Sequence, residues 1–121
     1  EHILPRAYMS NGEWKDKINN PKDVDPWINT GANLTLLSGK KNQQASNNGF
    51  ESKIQSYRGK GFYAESSEGI TAFRITQQIV NDFDNNKFQK EWNHESLNDR
   101  WNWFCSQVEV ILEIDLTSVK N

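Results

Sequence analysis

Asn33-Leu-Thr-Leu-Leu-Ser-Gly39 is the stretch that most restricts how this chain can fold. Leu34, Leu36 and Leu37 read as a short strand, and Gly39 breaks it, because a residue without a Cβ weakens extended order and permits a sharp turn. The segment that follows is polar and rich in Asn and Lys, with Phe50, Ile54 and Tyr57 recurring at helical spacing. A strand therefore feeds a helix that starts near Lys41 or Asn42 and stops at Gly59-Lys-Gly61.

Upstream, Ile3 and Leu4 precede Pro5, which lacks a backbone donor, so a first strand ends there. Residues 7–32 hold Asn11-Gly12, Asn19-Asn20-Pro21, Asp25-Pro26 and Thr30-Gly31, a density of turn formers that predicts a long loop. Trp14, Ile18, Val24, Trp27 and Ile28 give that loop apolar anchors. Downstream, Ile70, Phe73, Ile75, Ile79, Val80 and Phe83 predict a helix from Ser67 or Glu68 to about Phe83. The last helix carries the clearest stripe, Leu97, Trp101, Phe104, Cys105, Val108, Ile111 and Leu112, with Asn93 as its N-cap and Glu95 and Asp99 at the positive end of its dipole. Cys105 lies inside the stripe and reads as a core residue, while His94 reads as a surface residue.

A chain of 121 residues suits a single domain, and its five tryptophans supply large side chains for a core despite only 35% hydrophobic content. The net charge of -2 and pI of about 5.7 exclude a protein that grips nucleic acid by bulk positive charge. Any such contact must be local, and Lys40, Lys41, Lys53, Arg58 and Lys60 do flank the central stretch. A lone cysteine excludes an internal disulfide and fits a reducing cytoplasm, the expected location. No apolar run approaches the ~20 residues needed to cross a bilayer, so no membrane partner is expected. The initial Glu suggests a fragment of a longer protein.

Adjacent Glu1 and His2, with the asparagines around the strand-to-helix junction, form a chemically suggestive set. Hydrolysis of a phosphodiester near neutral pH needs a base to deprotonate water and a divalent cation to offset developing charge. Histidine, with an unperturbed pKa near ~6.5, is the natural base, and carboxylate and amide oxygens are hard ligands suited to magnesium.

Glu1-His2-Ile3-Leu4-Pro5 resembles the acidic-His-Ile-hydrophobic-Pro opening of HNH, or ββα-metal, nucleases, Asn33-Leu-Thr-Leu-Leu resembles their middle motif, and Asn42 falls where that family places its last metal ligand. The chain is more closely similar to the C-terminal nuclease domain of the GmrSD-type, type IV, restriction endonucleases. Gly31-Ala-Asn33 departs by one residue from a Gly-Asn-Leu-Thr-Leu-Leu strand, and Asn42, Ser46-Asn47, Phe50, Lys53, Trp92 and Arg100 continue the likeness over almost the whole chain.

That resemblance implies an α+β fold, a ββα-metal (HNH/His-Me finger) core over 1–60 with additional, mostly α, C-terminal helices over 61–121, in one domain. It implies a metal-dependent DNA endonuclease of a bacterial restriction or phage-defence system, with His2 as general base, Asn33 holding its imidazole through a hydrogen bond to the ring or its backbone neighbourhood, Glu1 and Asn42 as ligands of Mg2+ (or Mn2+), and Lys41, Ser46, Asn47 and Lys53 meeting nucleic acid. It implies DNA, modified or not, as substrate and an upstream nucleotide-hydrolysing domain in the parent protein. The competing expectation is a non-catalytic helical DNA-binding or protein-interaction module, with Trp92, Trp101 and Trp103 forming a partner surface.

Overall fold

The asparagines of the first loop become helix caps. Asn11 Oδ1 accepts the N–H of Glu13 (3.0 Å) to start α1 (Gly12–Lys15), and Asn20 Oδ1 accepts the N–H of Lys22 (3.1 Å) to start α2 (Pro21–Val24). Pro21 opens α2 at the position where a missing N–H costs nothing. Single 3-10 turns at Tyr8–Ser10 and Asp25–Trp27 flank them, so the expected long loop is a packed run of helical turns, with Trp14, Ile18, Val24 and Ile28 buried.

The computed structural model describes residues 1–58 and 73–121, and over these the chain is mostly helical. After α2 come α3 (Gly39–Ala45), α4 (Phe50–Tyr57), α5 (Arg74–Asp84) and α6 (His94–Leu112). The stop expected at Gly59-Lys-Gly61 and the helix start expected at Ser67 or Glu68 lie outside the described residues. No described helix is long and apolar enough to cross a membrane.

Where the sequence predicts two strands, the described residues hold one antiparallel bridge, His2 opposite Leu34. Ile3 N–H donates to Asn33 O (2.9 Å), Thr35 N–H to Glu1 O (3.1 Å), and the Glu1 amino group to Thr35 O (3.2 Å). Pairing goes no further because Pro5 has no N–H to offer and the other chain is diverted to α5. There Thr76 Oγ1 lies 2.7 Å from Thr35 Oγ1 and donates to Leu36 O at 2.5 Å.

The single helix expected beyond Lys41 is also divided, between α3 and α4. Groups from α1 and its cap take hold of the intervening backbone: Asn11 Nδ2 donates to Asn47 O (2.8 Å), Trp14 Nε1 donates to Asn48 O (2.7 Å), and the Glu13 carboxylate accepts the N–H of Gly49 (2.8 Å). A Cβ on Gly49 would meet that carboxylate, the far end of an exposed side chain, which would have to swing aside. One residue later, Phe50 packs its ring against Trp14, Phe83 and Trp92, with centroids 6.4, 5.7 and 5.4 Å away. It joins α1, α4, α5 and the approach to α6 around one core.

Helix α6 starts as its sequence predicts. Asn93 Oδ1 accepts from the N–H groups of Glu95 (3.0 Å) and Ser96 (3.3 Å), and Ser96 Oγ returns the bond to Asn93 N–H (3.1 Å), completing a capping box. Leu97 and Cys105 are buried, but the stripe does not pack along its whole length: Val110, Ile111 and Leu112 are 76, 74 and 60% exposed. After Glu113, at a left-handed φ of 53°, the tail folds back, so that Trp101 Nε1 donates to Val119 O (2.8 Å) and Asn121 N–H to Asn102 Oδ1 (2.8 Å). The three tryptophans expected as a partner surface differ in exposure. Trp92 is buried, Trp101 is half-buried between the tail and the Phe104 ring, and Trp103 lies under the Arg100 guanidinium at 4.2 Å.

Candidate active site

The bridge and α3 bring Glu1, His2, Pro5, Arg6, Asn42, Ser46 and Asn47 around one cleft of about 350 Å³. Glu1 and His2 come from the first half of the bridge, whereas Asn42 stands on α3 and Ser46 and Asn47 follow it. Ser38 caps α3 with its hydroxyl oxygen, accepting Lys41 N–H at 3.4 Å, and this fixes which helical residues face the cleft. At the C-terminal end Ser46 holds a φ of 41°, a conformation that costs about 1–3 kcal/mol for a residue with a side chain. Glycine would adopt it more readily; serine places a hydroxyl on the cleft wall.

His2 Nε2 lies 2.9 Å from Asn29 Oδ1. An amide oxygen can only accept, so Nε2 carries the hydrogen and Nδ1 keeps its lone pair in the neutral ring. Asn29, which has no signal in the sequence beyond lying in a turn-rich stretch, is thus the residue that orients the imidazole.

Asn33, expected to hold the imidazole through the ring or its backbone neighbourhood, is wholly buried and works on the backbone, not on the ring. Its Oδ1 accepts from Leu4 N–H (2.7 Å) and Trp92 Nε1–H (3.1 Å), and its Nδ2 donates to Leu4 O (2.8 Å) and Ile28 O (3.0 Å). Both acceptor sites and both donors of the amide are used, so the ring of His2 has no claim on it. Asn33 clamps the chain just after His2, and Trp92 clamps Asn33.

Lys53 and Lys41, expected to meet phosphate, face inward. Lys53 is wholly buried; its Nζ donates to Glu1 Oε1 and to His2 O, both at 2.6 Å. Burial lowers its pKa, against the pull of the Glu1 carboxylate. Tyr57 Oη donates to the same Oε1 at 3.1 Å, and burial first, then Glu1, raises the pKa of that phenol well above its ordinary value. The Lys41 ammonium is buried against α4, donating to Ser56 O at 3.3 Å. Both lysines look like exposed helix residues in the sequence because the spacing of a helix does not say which neighbour covers each face.

Breaking a buried ion pair leaves an uncompensated charge. Lys53→Met is therefore expected to destabilise the chain by about 3–5 kcal/mol in a urea titration, since Glu1 then keeps only the Tyr57 hydroxyl. A loss below about 1 kcal/mol would mean that the carboxylate simply turns to water.

Arg100 stands apart from the cleft lining. It is buried, its Nη2 donates to Ile75 O (3.2 Å), its Nε and Nη1 have no hydrogen-bond partner among the described residues, and burial pulls its pKa down to about 10. A larger groove of about 710 Å³ runs past Lys17, Asp23, Glu91 and His94. In it Lys17 pairs with Glu91 at 2.7 Å and His94 Nδ1 donates to the backbone carbonyl of Asp23 at 3.0 Å.

The family model for the C-terminal domain of GmrSD restriction endonucleases matches residues 1–107. The chain belongs to that family. All the cleft residues of this GmrSD C-terminal domain lie inside the matched region, and the exposed apolar end of α6 lies outside it. Membership gives the chain a role related to restriction endonucleases, and DNA is the substrate such a family implies. Comparison with curated proteins and with solved structures yields no match.

Proposed function

We propose that this GmrSD C-terminal domain is an HNH-type, ββα-metal endonuclease domain that hydrolyses DNA phosphodiester bonds, with His2 as general base and Glu1 and Asn42 as ligands of one Mg2+ or Mn2+. The convergence of Glu1, His2 and Asn42 on one cleft carries this reading, because it joins a potential base and two hard oxygen donors from distant parts of the chain. The bridge of His2 with Leu34, followed by α3, supports it as a minimal form of the strand-strand-helix order of such a core.

The donor set fits a magnesium-like ion. Among the described residues no three His, Cys, Asp or Glu side chains gather into a metal cage. One carboxylate and one amide beside an open cleft suit a cation that retains waters and leans on substrate phosphate. Glu1 offers Oε2, since its Oε1 is held by Lys53 and Tyr57. When bound, the ion would supply charge stabilisation at the phosphoryl oxygens.

His2 Nδ1 takes the proton of the attacking water while Asn29 keeps the ring in place through Nε2. Asn33 holds the backbone beyond His2 so that the base does not drift from the cleft. Ser46 and Asn47 offer neutral donors to the phosphate chain from the opposite wall. The parent enzyme, in this reading, acts in the bacterial cytoplasm and carries its nucleotide-hydrolysing unit upstream.

Plasmid nicking with magnesium, with manganese and with chelator tests the reading; activity indifferent to chelator would refute it. Asn42→Ala is expected to weaken manganese binding and nicking together, with excess metal restoring part of the rate. Lost nicking at unchanged metal affinity would instead make Asn42 a substrate contact.

A further inference from the structure

A nucleic-acid substrate brings a row of phosphates to the cleft, and a cation must receive at least one of them. Among the residues that line it, Arg6 is the one with a permanent positive charge. Lys41 and Lys53, expected to meet nucleic acid, have their ammonium groups buried in hydrogen bonds to Ser56, Glu1 and His2. We propose that Arg6 is the phosphate-gripping residue of this cleft, holding the DNA backbone beside the bond that His2 attacks. The inference rests on the nuclease reading for its choice of DNA as ligand.

The placement of Arg6 suits a grip. Its root is fixed: Leu4 is bound at both its N–H and its carbonyl by the Asn33 amide, Pro5 is buried, and Pro5 O accepts the N–H of Tyr8 at 3.1 Å. Its head is free. The side chain is exposed and takes part in none of the salt bridges among the described residues. A guanidinium offers a planar fork of donors that matches two phosphate oxygens, and little order must be created when its backbone is already anchored. The cleft otherwise presents the Glu1 carboxylate and neutral polar groups, so without Arg6 an approaching phosphate would meet no fixed protein charge of opposite sign.

A gripping arginine contacts backbone and not base, so its removal should weaken all DNA sequences alike. The test uses the full chain carrying His2→Ala, so that DNA is not consumed, and a short labelled duplex followed by fluorescence anisotropy over a salt series. Adding Arg6→Gln is expected to weaken binding about tenfold and to flatten the dependence of log K on log salt by about one. Arg6→Lys should recover part of the affinity, since it restores the charge without the fork.

Lys15 is exposed on α1 and outside the cleft lining, so Lys15→Gln removes the same charge elsewhere. Equal weakening by Lys15→Gln and Arg6→Gln would show bulk attraction and overturn the proposal. Unchanged affinity and slope in Arg6→Gln would overturn it too, as would no measurable DNA binding by the chain that retains Arg6. Binding is read without cleavage, so the nuclease reading can fail separately. A chain that never nicks DNA yet loses it on Arg6→Gln keeps the grip and sinks the nuclease.

Discussion

His2→Ala should lower the rate of DNA nicking by about a hundredfold to ten-thousandfold while the domain remains folded. The side chain is half-exposed and its recorded bond is to Asn29, which is itself exposed. The structural duties of the residue belong to its backbone: the carbonyl accepts from Lys53, and the residue pairs with Leu34. Alanine retains both. Nicking rates compared with thermal melts decide the matter, and a folded His2→Ala chain that cuts at the parental rate would remove the general-base assignment. Loss of nicking together with loss of the fold would point to a packing role that the geometry does not support.

Asn33→Ala should act on stability first, by about 3–5 kcal/mol, a large share of the 5–15 kcal/mol that holds a domain of this size together. The amide satisfies the Leu4 N–H and carbonyl, the Ile28 carbonyl and the Trp92 indole, all in a wholly buried position. Removing it leaves those groups without partners where water does not reach, and a buried unsatisfied group costs about 1–3 kcal/mol. Asn33→Leu, of similar volume, should be no better, because shape is not what the site lacks. Urea titration checks this. A near-neutral Asn33→Ala with abolished nicking would move Asn33 from the scaffold to the chemistry.

These two expectations divide the motif in a way that its residues alone do not reveal. In the sequence, His2 and Asn33 are equally members of one constellation. Only the packing of Trp92, Leu4 and Ile28 around the Asn33 amide makes it a clamp, and only the position of Asn29 makes that residue the partner of the imidazole.

Local chemistry was enough wherever an element depends on its near neighbours. The N-cap of α6 at Asn93 and the burial of Cys105 follow from a side chain reaching two or three residues along the chain and from apolar spacing. The family resemblance of their motifs nominated Glu1, His2 and Asn42 together, and they do line one cleft. What tertiary structure alone decided involves partners far apart. The break between α3 and α4 exists because Asn11, Glu13 and Trp14 capture the backbone at Asn47, Asn48 and Gly49. Lys41 and Lys53 turn inward because α4 presents Ser56 O to one and the bridge presents Glu1 and His2 to the other. A lysine on a helix reads the same in sequence whether water or a carboxylate waits beside it. The difference lies in which remote segment covers that face, and this is set by the packing of the whole core.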